Sequence, residues 1–133
     1  MKLNFLLLAS IAGMLAVSAG ALGAHLLESL IEPARLDAFE TAVRYLFYHV
    51  FGLLAIHILD PYGKRAVLRR SGYFFLAGMV CFSGSLFILS TQEISGINAA
   101  FLGPVTPAGG LLLIIGWLHL AYFALVQKRD RES

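Results

Sequence analysis

Residues 3–24 read LNFLLLASIAGMLAVSAGALGA, a run without a single charged side chain. A helix of about 20 mostly apolar residues covers the hydrocarbon thickness of a bilayer. Three further windows have the same character: residues 41–59, 71–90 and 107–126. Lipid offers no partner to backbone N–H and C=O groups, so such runs cross it as helices. A β-barrel needs alternation of polar and apolar residues, and none of the four runs alternates.

Composition agrees. Of 133 residues, 59% are hydrophobic and 14% charged, against about 25% charged in an ordinary soluble domain. The mean hydropathy is +0.79. A soluble chain of this length could not hide so much apolar surface in one core. The expected architecture is all-α, a single transmembrane domain built as a four-helix bundle. The lone cysteine, Cys81, lies inside an apolar run and has no partner for a disulfide or a metal pair.

The connections are polar or rich in helix breakers. Residues 28–40 carry Glu28, Glu32, Pro33, Arg35, Asp37 and Glu40, with Leu27, Leu30, Ile31 and Ala34 near helical spacing. We read them as a short amphipathic segment at the interface. Residues 60–65, DPYGKR, make a tight turn by composition. Residues 91–107 form a long neutral loop. The start of the chain has the outline of a signal peptide, with Lys2 ahead and Ala19-Gly20-Ala21 behind. Its apolar stretch outlasts a usual signal core, so a retained first helix is expected.

Positive residues set the orientation. Lys64, Arg65, Arg69 and Arg70 lie between the second and third runs, Lys128, Arg129 and Arg131 in the tail, and Lys2 at the start. Four crossings put all three regions on one face. The other face holds Arg35, Arg44 and no lysine. Both termini are therefore expected in the cytoplasm, in a multi-pass protein of the bacterial inner membrane. Tyr62, Tyr73, Tyr122 and Phe123 fit interfacial positions. The positive residues are accounted for by orientation, so nucleic acid is not an expected partner.

Membrane helices associate through close backbone approach and interhelical hydrogen bonds. Ala12, Ala16, Gly20 and Ala24 recur every fourth residue, beside Ala9, Gly13 and Ala21. Ala77, Cys81 and Ser85 repeat the pattern in the third run, with Gly78 and Gly84 nearby. These stripes predict helix contacts, within the chain or between copies.

Several blocks, taken in order, resemble the DUF423 family of small membrane proteins. They are Gly20-Ala21-Leu22-Gly23-Ala24-His25, then Thr41-Ala42 with Tyr45 and His49, then Phe82-Ser83-Gly84-Ser85-Leu86. The last are Gly103-Pro104-Val105-Thr106-Pro107, Gly109-Gly110-Leu111 and Gly116-Trp117. Phe87 departs from the pattern, where the family often has Tyr. The resemblance implies a four-helix membrane protein and brings no established activity.

With the expected topology, the polar members of these blocks fall in the extracytoplasmic half. Thr41, Tyr45 and His49 share one helix stripe, and Arg44 and Tyr48 a neighbouring one. Polar groups at membrane depth are costly and are candidates for function. The candidate ligand-binding residues are thus His25, Arg44, Tyr45, His49, Ser83 and Thr106. Each also has a plainer reading. Arg44 can snorkel and pair with Glu40 or Asp37, His49 can lock two helices through Ser83, Ser85 or a carbonyl, and His25 can cap a helix end. Thr106 can be an N-cap with Pro107 at the first helical position, or part of a re-entrant cap. His49 and His119 could bracket a haem, but no attachment motif is present, and neither cofactor nor metal is expected. Catalytic motifs for phosphate binding or nucleophilic attack are missing, so enzyme activity is not expected.

Three functions remain in order: a structural or accessory subunit or assembly factor of a membrane complex, a transporter or ligand-binding protein, and a membrane redox protein. Membrane lipid is the expected surrounding, and a membrane-protein partner or homo-oligomer the expected company.

Overall fold

The computed structural model describes residues 4–62 and 65–132. Lys2 and Lys64, and the side chains of Tyr62, Arg65, Lys128, Arg129 and Arg131, lie outside the described residues. Among the described residues there is no strand. The helices are α1 (Phe5–His25), α2 (Pro33–Leu59), α3 (Arg65–Met79), α4 (Ser85–Ser90), α5 (Gln92–Ser95) and α6 (Val105–Glu132). A π-helical turn, Val80–Gly84, joins α3 to α4 without a break, so the two form one long rod. Four stretches are long and apolar enough to cross a membrane: Phe5–Ser29, Pro33–Leu59, Ala66–Ser90 and Ala100–Gln127. With an even number of crossings, the start of α1 and the end of α6 lie at the same end of the bundle.

Local chemistry sets the helix ends. Asn4 caps α1, its side-chain oxygen accepting from the Leu7 N–H at 3.1 Å, which satisfies one of the first-turn donors left over in any helix. Pro33 opens α2 at a position where its missing N–H costs nothing. Gly96 ends α5 with φ +68°, and its N–H donates to the Gln92 carbonyl at 2.9 Å, a left-handed stop that glycine adopts without strain.

The segment expected to lie separately at the interface is divided. Leu27–Ser29 forms a 3₁₀ turn, and from Pro33 onward the chain already belongs to α2. Of the apolar residues read there as amphipathic, Leu27, Leu30 and Ile31 precede α2, and only Ala34 lies in its first turn. α6 likewise starts at Val105, so Thr106 and Pro107 sit inside its first turn and Thr106 is not the N-cap. Pro107 is still tolerated, because first-turn N–H groups have no intrahelical acceptor.

α1 packs chiefly on α2, and α6 chiefly on α3 and the π turn, with α2 beside α3 and α4. The core is Phe5, Ala9, Ala12, Val50, Leu53, Ile56, Leu68, Phe75, Met79, Leu113 and Phe123. Phe123, expected at the interface, is thus an inside residue. The outward surface is apolar: Met14, Val17, Ile58, Val80, Leu111, Leu118 and Leu125 are all exposed. That is the inside-to-outside balance lipid selects.

Small residues mark the tight crossings, and only partly where the stripes place them. On α1, Ala9, Ala12 and Ala16 are buried, but Ala21 and Ala24 are exposed. In the third rod Ala77 is exposed and Ser85 buried. The π turn lies between them, and each extra residue in a helix rotates the downstream part by about 100°. Residues spaced by four across that turn therefore do not share a face. The close approaches are made by glycines, Gly78 of the third run among them, where a Cβ would come to 2.5 Å from Leu113. A side chain on Gly109 would collide with the backbone of Cys81 and Phe82, so α6 rides directly on the π turn. Phe75 is pinched between two more: a Cβ on Gly52 would come to 2.7 Å, and one on Gly116 to 2.5 Å, from its ring.

Candidate functional site

The six residues singled out by sequence do not form one cluster. His25 ends α1, exposed, without a hydrogen bond or ion pair among the described residues. Arg44 is also exposed. Its Nη2 donates to Thr41 Oγ1 at 2.9 Å and lies 3.4 Å from Asp37 Oδ1, and Nη1 is 3.8 Å from Glu40. This is the snorkelling arrangement, directed back toward the start of α2.

Of the other four, His49 and Ser83 are buried, Thr106 is half-buried and Tyr45 is exposed. His49 is 4% exposed. Its Nδ1 is 2.7 Å from the Tyr45 carbonyl, and its Nε2 is 3.2 Å from Trp117 Nε1. A carbonyl only accepts and an indole N–H only donates. The imidazole is therefore neutral, with its proton on Nδ1 given to Tyr45 and its Nε2 lone pair taken by Trp117. Both nitrogens are engaged, so neither is open to a haem iron or a substrate in this packing. The ring also stands against Phe75, centroid to centroid 5.4 Å, and Phe75 against Trp117 at 5.1 Å. His119, the other histidine considered for haem, is engaged through Nδ1 with the Ile115 carbonyl at 2.9 Å and packs on Phe74.

The Tyr45 ring lies on Phe82 of the π turn, with centroids 4.6 Å apart. Ser85 and Thr106 share a hydrogen bond of 2.7 Å that ties α4 to the first turn of α6. Ser83, inside the π turn, is buried to 1% exposure, and its hydroxyl has no hydrogen-bond partner among the described residues. An unsatisfied buried hydroxyl costs about 1–3 kcal/mol, and π turns recur at functional positions.

Two further polar ties involve residues outside the candidate set. Ser71 donates to the Gly116 carbonyl at 2.7 Å, wholly buried between α3 and α6. Arg35 reaches from the first turn of α2 to the far end of α4. Its Nη1 donates to the Leu89 carbonyl at 2.9 Å and its Nε to Glu93 at 2.8 Å. Gln92, with its amide oriented by the same network, accepts from Nη1 and Nη2 at 2.9 and 3.1 Å. Arginine's fixed fork suits this, capping a helix-end carbonyl while pairing with a carboxylate. The sequence points to Trp117 only through the Gly116-Trp117 block. For Arg35 its one signal is a cation within the acidic connection, which orientation alone does not require.

Residues 19–110 match the family described as Protein of unknown function (DUF423). The chain belongs to that family. It is 39% identical over 122 residues to the UPF0382 membrane protein YwdK of Bacillus subtilis, covering 91% of this chain and 95% of the relative. It is 33% identical to a UPF0382 membrane protein of Haemophilus influenzae, covering 96% and 98% of the two chains. A UPF0382 membrane protein of Schizosaccharomyces pombe is 34% identical, over 82% of this chain and 91% of its own. No solved structure matches. This DUF423 chain is thus an integral membrane protein of four spanning helices, from a family without an assigned activity.

Proposed function

We propose that this DUF423 protein is a non-enzymatic structural or accessory subunit, or assembly factor, of a membrane complex, set in the bacterial inner membrane with both termini in the cytoplasm. The observation that carries the reading is the engagement of His49. The most deeply buried titratable side chain of the candidate set has both nitrogens satisfied within the bundle. Ser85, Thr106 and Arg44 likewise meet one another or near neighbours. His49, Ser85 and Thr106 hold helices together, which leaves the outside of the bundle as what it offers to other molecules. The basic turn and tail support the orientation.

The test is extraction of the tagged protein in a mild detergent, followed by native electrophoresis and crosslinking in intact cells. Recovery in an assembly well above the 14.5 kDa of the chain supports the reading. Recovery only as a monomer, with no crosslinked partner, overturns it. A reporter active only outside the cytoplasm, fused to the C-terminus, should stay silent.

A second reading, an outward-facing ligand or transport site, has one observation in its favour, the unpaired Ser83 hydroxyl at the π turn. It requires solute flux into liposomes that Ser83→Ala, His49→Ala or Arg44→Ala reduces.

A further inference from the structure

α1 and α2 touch along their length through small residues, and in the half near the α1–α2 connection they leave a furrow. Its upper part, about 230 Å³, lies between Gly20 and Gly23 on one side and Phe39, Glu40 and Val43 on the other, with Arg44 at its edge. Its lower part, about 320 Å³, continues past Gly20, Val43 and Arg44 to Ala16, Val17, Phe47 and Tyr48. The two parts share Gly20, Val43 and Arg44 along their walls, and both lie open to the side. Charged groups stand at the top, and the walls below Arg44 are apolar.

This gradient runs in the same direction as that of a phospholipid, headgroup at the interface and acyl chain below. The charges narrow the choice of headgroup. Arg44 stands beside two carboxylates, Asp37 and Glu40, both with exposed side chains. One cation and two anions disfavour an anionic lipid. The Arg44–acid distances, 3.4 and 3.8 Å, are long beside the 2.7–2.9 Å of a strong charge-assisted bond. The guanidinium therefore keeps donors for a phosphate, and the carboxylates keep acceptors for an ammonium that can donate.

We propose that this furrow binds one ethanolamine phospholipid, with its phosphate on Arg44, its ammonium on Asp37 and Glu40, and an acyl chain laid between Ala16–Gly20 and Val43–Phe47. The assignment goes beyond an accessory role and stands whether or not a protein partner exists. A choline headgroup fits less well, because its quaternary nitrogen has no N–H to donate.

The test uses the purified, delipidated full chain, offered equal amounts of phosphatidylethanolamine, phosphatidylglycerol and phosphatidylcholine and read by native mass spectrometry. One retained ethanolamine lipid is expected, favoured on the order of tenfold, the equivalent of one charge-assisted contact. Asp37→Asn with Glu40→Gln should erase or invert the preference over phosphatidylglycerol. Gly20→Leu, which fills the furrow, should abolish retention, and Ala124→Leu, at an exposed position of α6, should not. If Gly20→Leu does not fold, Val17→Phe, at an exposed position that lines the lower furrow, blocks it instead. Equal retention of the three lipids, or retention unchanged by the blocking variants, overturns the proposal. So does a lipid-free dimer that the same variants dissociate, which would make a second copy the occupant.

Discussion

Trp117 of α6 donates its indole N–H to His49 of α2 at 3.2 Å, across the ring of Phe75 on α3. α2 and α6 do not lie side by side, since each packs along the α3–α4 rod. The hydrogen bond joins them directly, and Phe75 stands against both rings. Three helices are thereby fixed at one depth by three side chains.

Removing the indole N–H while keeping an aromatic ring isolates that bond. Trp117→Phe should lower stability by about 1–2 kcal/mol, because it leaves Nε2 of a buried imidazole unpaired. In a double-mutant cycle with His49→Phe, the coupling should be about 0.6 kcal/mol, the average for interhelical bonds in membranes, and no more than about 1.7 kcal/mol. Thermal or denaturant unfolding in detergent measures both. Zero coupling would mean that the contact is not formed.

The glycines around Phe75 should respond by position. Gly52→Ala and Gly116→Ala both push a methyl into the ring and should cost about 1–3 kcal/mol. Phe75→Leu should cost less in those backgrounds than in the wild type, since it vacates the contested volume. Gly84→Ala has open space around it and should be neutral or stabilising, by up to about 1 kcal/mol, through helix propensity.

Ser83 and Ser85, near neighbours in the same rod, should behave oppositely. Ser83→Ala removes an unpaired buried hydroxyl and should leave stability unchanged or raise it by about 1 kcal/mol. Ser85→Ala strands Thr106 and should lower stability by a similar amount. A melting comparison of the two variants in one detergent reads the sign directly. Loss of stability in Ser83→Ala would show that the hydroxyl has a partner in the membrane.

Arg35 should not tolerate lysine. A single ammonium cannot reproduce contacts to Leu89, Gln92 and Glu93 at once. Arg35→Lys and Arg35→Ala should both speed amide exchange in residues 91–103, with Glu93→Gln giving a smaller effect because its side chain is half exposed. Exchange followed by mass spectrometry would detect this, and an unchanged rate would remove the clamp.

The spanning helices were legible because lipid imposes a requirement that each segment meets alone: enough apolar length and an internally bonded backbone. Arg44's local pairing was legible for the same reason, since one or two turns of a single helix decide it. The choice of Trp117 for His49, the clamp of Arg35 on α4 and the pinching of Phe75 were not. Each joins residues far apart in the chain, and each depends on which helices are neighbours and how each is rotated. The π turn adds a further rotation that even spacing in the sequence hides, which is why Ala77 faces out and Ser85 faces in. Hydrophobic length determined that this chain enters the membrane; packing geometry alone decided which polar groups meet there.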